Sequence, residues 1–319
     1  MSKRSKIIAG NEVSDLVEWN LGGYPQKVLI EGKRRDLPVV ITLHGGPGTP
    51  IPFSVGCRGL FPQMTDRFLM VYWDQLGCGI NNHSMEGIFS VERMVEMTLD
   101  LVKKVRETFP QNKILLQSVS WGTVLSAMAA DALKDEINGV VACGQVVRNL
   151  IFNPVTMEAL KNSRIPQKKL QKIQAMEPQS VTAKDAAMLM NCIRKYTQGQ
   201  MNPKDKPQSG PVIFGLMTSP DYSFRDFRAV VNNGYTGLDE PFQCLMDLDL
   251  REQLRSVPVP YRILQGDTDL ITPADLAEEA VKEAENPLLT CCRIPDTSHF
   301  FGIRGMETMV KALTELAED

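Results

Sequence analysis

Apolar and polar positions alternate in a consistent rhythm along most of this chain. Two short β-rich runs, 17–21 and 26–32, flank Gly22-Gly23-Tyr24-Pro25 and predict an early hairpin or pair of strands. The run 38–43 is continuously apolar and stops at His44-Gly45-Gly46-Pro47-Gly48, as a strand buried on both faces does when it ends in a tight turn. A second such run, 68–74, ends near Gly77 and Gly79. Ser90 is positioned to cap a helix in which Val91, Met94, Val95, Val102 and Val105 recur at helical spacing as far as Glu107. A strand over 113–118, an Ala-rich helix over about 123–133 and a strand over 138–143 continue the alternation.

The rhythm then changes. Residues 151–250 lack long buried-strand runs and read as helical pieces punctuated by prolines, Pro154, Pro166, Pro178 and Pro203 among them, with seven of the 16 Met residues. Two readings of those methionines stand: an adaptable packing face or the wall of an apolar substrate channel. Afterwards a strand over 261–266, a helix over 273–285, a strand over 288–294 and a helix over 306–317 restore the pattern. The expected architecture is a mostly parallel α/β sheet flanked by helices, with a core of 1–150 and 251–319 and an inserted helical lid of 151–250.

Composition narrows the partners. The 319 residues are 43% hydrophobic and 23% charged, with a net charge of −3, which offers no attraction to a phosphate backbone. The chain shows neither a secretion signal nor a membrane-length apolar run. Seven cysteines without metal-ligand or framework spacing fit reduced thiols and a cytoplasmic setting, and predict no metal site. The neighbours Cys291 and Cys292 are expected on opposite faces of a buried strand, and Cys78 as a packed thiol beside the site. Lys168, Lys169 and Lys172 read as a solvated helix face.

The chemistry concentrates at three strand ends. Residues 114–122 run from a buried strand into Ser118-Val119-Ser120-Trp121-Gly122 and then an Ala-rich helix, the setting of a nucleophile elbow with Ser120 at its tip. Small residues are needed two before and two after the tip, and Ser118 and Gly122 stand there. A serine hydroxyl needs a base and an acid that orients the base. Asp269 follows the strand 261–266 and His299 follows the strand 288–294, giving the order Ser120, Asp269, His299. Asp267 is the alternative acid. His83 reads as a solvated loop residue.

On His44-Gly45-Gly46-Pro47-Gly48, Asp74-Gln75-Leu76-Gly77-Cys78-Gly79 and Ser120-Trp121-Gly122, the chain resembles the α/β-hydrolases and, among them, the proline iminopeptidase branch (family S33). The resemblance covers about two thirds of the chain. It implies that the backbone N–H groups of Gly46 and Trp121 form an oxyanion hole, that His44 buttresses the turn, and that no cofactor is needed. It further implies a serine hydrolase forming an acyl-enzyme, with aminopeptidase action on small peptides or amides bearing a free N-terminus. A carboxylesterase or thioesterase is the alternative, and a non-catalytic ligand-binding relative a second one.

Two departures bear on substrate. Leu76 stands where the family pattern has Arg. The segment 151–250 has no Trp, although relatives of this type place an acidic residue in a Trp-Glu context to hold the substrate ammonium; its basic residues outnumber the acidic ones 12 to 10. Glu158, Glu177, Asp221, Asp239 and Glu240 remain as ammonium partners.

Overall fold

The computed structural model describes residues 2–148, 150, 152–177, 180–232, 235, 238–246 and 248–319. Helix α1 (Lys3–Ala9) precedes a hairpin of β1 (Val13–Leu21) and β2 (Tyr24–Gly32), joined at Gly22 and Gly23, both of positive φ. A two-residue turn of that kind matches the twist of paired strands. There follow β3 (Val39–Leu43), the short α2 (Pro62–Thr65), β4 (Leu69–Trp73), α3 (Val91–Thr108), β5 (Ile114–Val119), α4 (Trp121–Ala129) and β6 (Gly139–Cys143). As expected, Ser90 caps α3, accepting the Arg93 N–H.

Between β6 and β7 (Tyr261–Gly266) lies a helical insert. It comprises α5 (Pro154–Lys161), α6 (Gln167–Gln174), α7 (Ala183–Tyr196), α8 (Ser209–Met217), α9 (Phe224–Val231) and α10 (Glu240–Met246), followed by α11 (Arg251–Arg255) just before β7. Pro154 and Pro166 stand at helix starts; Pro178 lies outside the described residues. Helix α12 (Ala274–Ala284), β8 (Leu289–Ile294) and α13 (Ile303–Glu318) complete the chain.

The eight strands form one sheet in the order β1-β2-β4-β3-β5-β6-β7-β8. Only the β1–β2 and β2–β4 pairs are antiparallel. From β3 the chain moves outward to β4 on one side and later to β5 on the other. The loops after β3 and β5 therefore diverge and leave a crevice at the carboxyl ends of those strands, where open α/β sheets bind ligands. Strands β3, β4, β5 and β6 are almost wholly buried, and one apolar cluster packs on each face of the sheet.

One expectation is corrected. Cys291 and Cys292 do not lie in a buried strand: β8 is the sheet's edge, and Cys292 is exposed while Cys291 is half-buried. Five of the insert's seven methionines pack in or against the core. Met157, Met176, Met188, Met190 and Met246 join the larger apolar cluster, whereas Met201 and Met217 are exposed. Lys168, Lys169 and Lys172 are solvent-exposed. Among the described residues no helix is long and apolar enough to cross a membrane.

Candidate active site

Ser120 sits between β5 and α4 with φ 50° and ψ −117°, in backbone space that a side chain rarely adopts. Holding it there costs roughly 1–3 kcal/mol, and a tight surrounding must enforce it. That surrounding is visible. The Ser120 N–H donates to the Cys143 carbonyl at 2.9 Å, and its own carbonyl accepts from the Thr123 N–H at 2.8 Å and the Thr123 hydroxyl at 2.6 Å. A Cβ on Gly122 would lie 2.0 Å from the Leu43 carbonyl oxygen, so α4 approaches β3 only because residue 122 has none.

Ser118, where glycine is the usual residue, is accommodated by a buried polar chain. Its hydroxyl lies 2.9 Å from that of Ser126, which is 3.0 Å from the Tyr261 hydroxyl; the latter donates to the Gln145 side chain at 2.7 Å. The extra oxygen is thereby hydrogen-bonded, which removes the main cost of burying it.

His299 brings Nε2 within 3.0 Å of Ser120 Oγ and Nδ1 within 2.8 Å of Asp269 Oδ2. Asp269, 3% exposed, accepts the Ile271 and Thr272 N–H groups on Oδ1 at 2.7 and 3.0 Å, and the Thr272 hydroxyl on Oδ2 at 2.8 Å. This is an Asx-type turn that fixes the carboxylate's orientation. Thr272 also lies 3.3 Å from His299 Nδ1. Sequence reasoning missed Thr272; its signal is the spacing of three residues from Asp269 just before a Pro-initiated helix. Asp267 points elsewhere: it is exposed and accepts the Thr297 N–H at 3.2 Å. An imidazole so held can take a hydroxyl proton through Nε2 while the carboxylate supports the positive charge at Nδ1.

The turn after β3 is braced from within. His44 Nδ1–H donates to the Gly45 carbonyl at 2.8 Å, and Nε2 accepts the Gln75 N–H at 2.9 Å. Burial pushes the His44 imidazole down to about 4, so the ring is neutral and the acceptor role is open to it. The Gly45 carbonyl also accepts the Thr49 N–H at 3.0 Å, closing a turn that contains Gly46, Pro47 and Gly48. Gly46 has φ 125°, and a Cβ there would lie 2.5 Å from the Gly48 nitrogen. Gln75 completes the brace: its side-chain N–H donates to the His44 carbonyl at 3.1 Å and its oxygen accepts the Trp121 indole N–H at 2.9 Å. Three sequence motifs are thus one hydrogen-bonded unit. Helix α4 starts at Trp121 with no side-chain cap, so the N–H groups of its first turn, Trp121 first, point out of the helix end beside Ser120.

Asp74 anchors the next loop. It accepts the Val55 N–H at 2.9 Å, the Ile80 N–H at 3.0 Å and the Tyr222 hydroxyl of the insert. Burial pushes its carboxyl up to about 6 against those three donors. Leu76 is fully buried, and its carbonyl accepts the Tyr235 hydroxyl at 2.5 Å. Cys78 is a buried thiol 3.1 Å from the Gln75 carbonyl, with its pKa raised by burial.

A cavity of about 510 Å³ opens between this loop and α9, lined by Gly77, His83, Phe89, Phe224, Arg225 and Arg228 among others. Ser120, Asp269 and His299 do not line it, and its contact with the elbow is the Phe89 ring, 5.8 Å from that of Trp121. The ammonium candidates are elsewhere. Asp221 pairs with Arg58 at 2.8 Å and Asp239 accepts the Ala183 N–H at 2.6 Å, while Glu158, Glu177 and Glu240 are exposed. Among the described residues no group of three His, Cys, Asp or Glu side chains is placed to hold a metal.

Comparison with known proteins agrees with this fold. A probable aminopeptidase, YbaC, of Bacillus subtilis (strain 168) is 24% identical over 303 residues, covering 90% of this chain and 91% of that protein. A proline iminopeptidase of Lactobacillus acidophilus is 25% identical over 260 residues, 79% of this chain and 81% of its own. The crystal structure of a Mycobacterium smegmatis proline iminopeptidase superposes with a TM-score of 0.62 at 16% identity, covering 95% and 98% of the two chains. The signature of the alpha/beta hydrolase fold matches residues 38–305, and the chain belongs to that family.

Proposed function

We propose that this protein is a serine hydrolase working through an acyl-enzyme, with the specificity of a proline iminopeptidase-like aminopeptidase. The observation that carries the reading is the unbroken row Ser120 Oγ, His299 Nε2, His299 Nδ1, Asp269 Oδ2, with separations of 3.0 and 2.8 Å across its two hydrogen bonds. Ser120 attacks the substrate carbonyl as His299 takes its proton, and Asp269 supports the imidazolium. The Gly46 and Trp121 N–H groups receive the oxyanion, a contribution of about 3–4 kcal/mol where such donors are preorganised. His299 then protonates the leaving group, and water repeats the cycle on the ester. The insert, residues 151–250, serves as the lid and supplies substrate contacts. The aminopeptidase assignment is supported by relatives named probable aminopeptidase and proline iminopeptidase, which align over 90% and 79% of this chain.

A second reading, hydrolysis of an ester or thioester, is favoured by one feature: Arg225 and Arg228 line the cavity whose Phe89 wall packs on Trp121, and two guanidinium groups there disfavour an ammonium group. The test is kcat/KM for a prolyl arylamide against a short-chain aryl ester, with Ser120→Ala as background. Preferred amide turnover carries the aminopeptidase reading. Ester turnover alone, lost in Ser120→Ala, replaces it with an esterase.

A further inference from the structure

The segment 199–205, between α7 and α8, runs across the two loops that carry Asp269 and His299 and is fastened to both. On the acid loop, the Leu270 N–H donates to the Gly199 carbonyl at 3.0 Å, and the Asn202 amide donates to the Thr268 hydroxyl at 3.1 Å. On the histidine loop, the Phe300 N–H donates to the Gln200 carbonyl at 3.0 Å. Lys204 pairs with Asp296 of the same loop at 2.8 Å, and the other ties end on one carboxylate, that of Asp205, which is 4% exposed. Its Oδ2 accepts the Thr297 hydroxyl at 3.0 Å, the Gly302 N–H at 3.1 Å and the Gly305 N–H at 3.2 Å, and its Oδ1 accepts the Arg304 N–H at 2.9 Å. The strap therefore bonds on both sides of Asp269 and on both sides of His299.

The chemistry of α13 explains why a carboxylate is needed. Its N-cap is Gly302, which has no side chain to satisfy the free N–H groups of the first turn. Asp205 supplies that cap from the insert, and its negative charge suits a helix N-terminus. The fit is close: a Cβ on Gly302 would lie 2.4 Å from Asp205, and one on Gly199 would lie 2.4 Å from the Leu270 Cβ. A buried carboxylate with four donors costs free energy to desolvate, and the neighbours repay it only in this one arrangement.

We propose that Asp205 is a positioning residue for the reaction assigned above, holding the loop of His299 in register with Asp269 so that the imidazole keeps both of its hydrogen bonds. The proposal rests on the serine-hydrolase reading for its kinetic consequence. Its structural consequence, the state of the His299–Asp269 hydrogen bond, does not depend on that reading.

The test is Asp205→Asn, which keeps size and shape but turns an NH2 toward backbone donors. The readouts are kcat and KM on whichever of the two substrates the wild type hydrolyses, and the downfield proton NMR signal of the His299 Nδ1–H, identified by its absence in His299→Asn. The expected result is a kcat lower by about ten- to a hundredfold, the size of effect that small misplacements of reacting groups produce, with KM within twofold and the Nδ1–H signal shifted or lost. A kcat within twofold of wild type, or a lower kcat with an unchanged Nδ1–H signal, overturns the proposal. If Asp205→Asn does not fold, Thr297→Val, which removes one of the four donors, replaces it: a shifted signal supports the proposal and an unchanged one overturns it. A wild type inert toward both substrates and toward a fluorophosphonate probe refutes the hydrolase reading alone, and the NMR signal still decides the role of Asp205.

Discussion

Gly122 and Leu43 approach so closely that a Cβ on the former would stand 2.0 Å from the carbonyl oxygen of the latter. That oxygen belongs to a buried strand and cannot retreat. Gly122→Ala is therefore expected to push α4 away from β3 and destabilise the fold by about 3 kcal/mol, at the upper end for overpacking. Thermal unfolding checks this, and a melting temperature equal to that of wild type would show that the helix can shift at no cost.

The two aspartates after β7 separate cleanly. Asp269→Asn is expected to lower kcat by about 10⁴-fold, as loss of the supporting carboxylate does where the imidazole depends on it. Asp267→Asn should leave kcat within twofold, since its exposed carboxylate accepts the Thr297 N–H and is not turned toward His299. Steady-state kinetics of the two variants side by side decide the assignment; equal losses would contradict it.

His44 offers a pH test that needs no substrate. With its imidazole pushed down to about 4 by burial, it stays neutral at pH 5.5, where an ordinary imidazole, titrating near 6.5, is mostly protonated. Following the histidine ring protons by NMR from pH 7.5 to 5 should show a resonance whose position stays constant, and His44→Gln should remove that signal. A titrating His44 would mean that the Gln75 N–H has a different acceptor.

Stability should depend on pH through Glu31. It is fully buried on β2, where the Gly59 N–H donates to its two oxygens at 3.1 and 3.0 Å, yet burial lifts its carboxyl to about 7 from an ordinary 4.5. Between those values the folded chain keeps a proton that the unfolded chain has released. The stabilisation is fully present below pH 4.5 and is lost as the pH rises through 7, to a total of about 3 kcal/mol. Glu31→Gln cannot titrate, so the unfolding free energy of wild type minus that of the variant should fall by about that amount between pH 4.5 and 7.5 in urea melts. Parallel pH dependences would rule this out.

What could be read from the sequence divides along physical lines. Ser120, Asp269 and His299 were legible because each follows a buried strand, and strand ends are where this sheet gathers its loops. The brace of His44, Gln75 and Trp121 was legible only as three motifs; that Gln75 joins them depends on side-chain directions that spacing does not encode. Helix α1 left no apolar stripe to find, since none of its residues is buried. It is held instead by Arg4, whose guanidinium donates to the carbonyls of Arg58, Gly56, Gly215 and Thr218. Asp205 was invisible for a similar reason: in Pro203-Lys204-Asp205-Lys206-Pro207 it looks like a solvated turn, and its partners, three backbone N–H groups and the Thr297 hydroxyl, lie 92 to 100 positions away. The misplaced Cys291 and Cys292 show the converse error, because an apolar run does not reveal whether its strand has a neighbour on both sides.

The sheet's connectivity also sets a timetable for biosynthesis. Strand β6 can pair with β5 as soon as both have been made, but its other edge belongs to β7, and residues 144–260 must be synthesised first. At roughly 5–20 residues per second that interval is on the order of ten seconds. Throughout it, the apolar β6 presents an open edge to other nascent chains. Yield in a heterologous host should accordingly respond to whatever shortens or shields that interval, such as chaperone supply, more strongly than to changes that raise the stability of the finished fold.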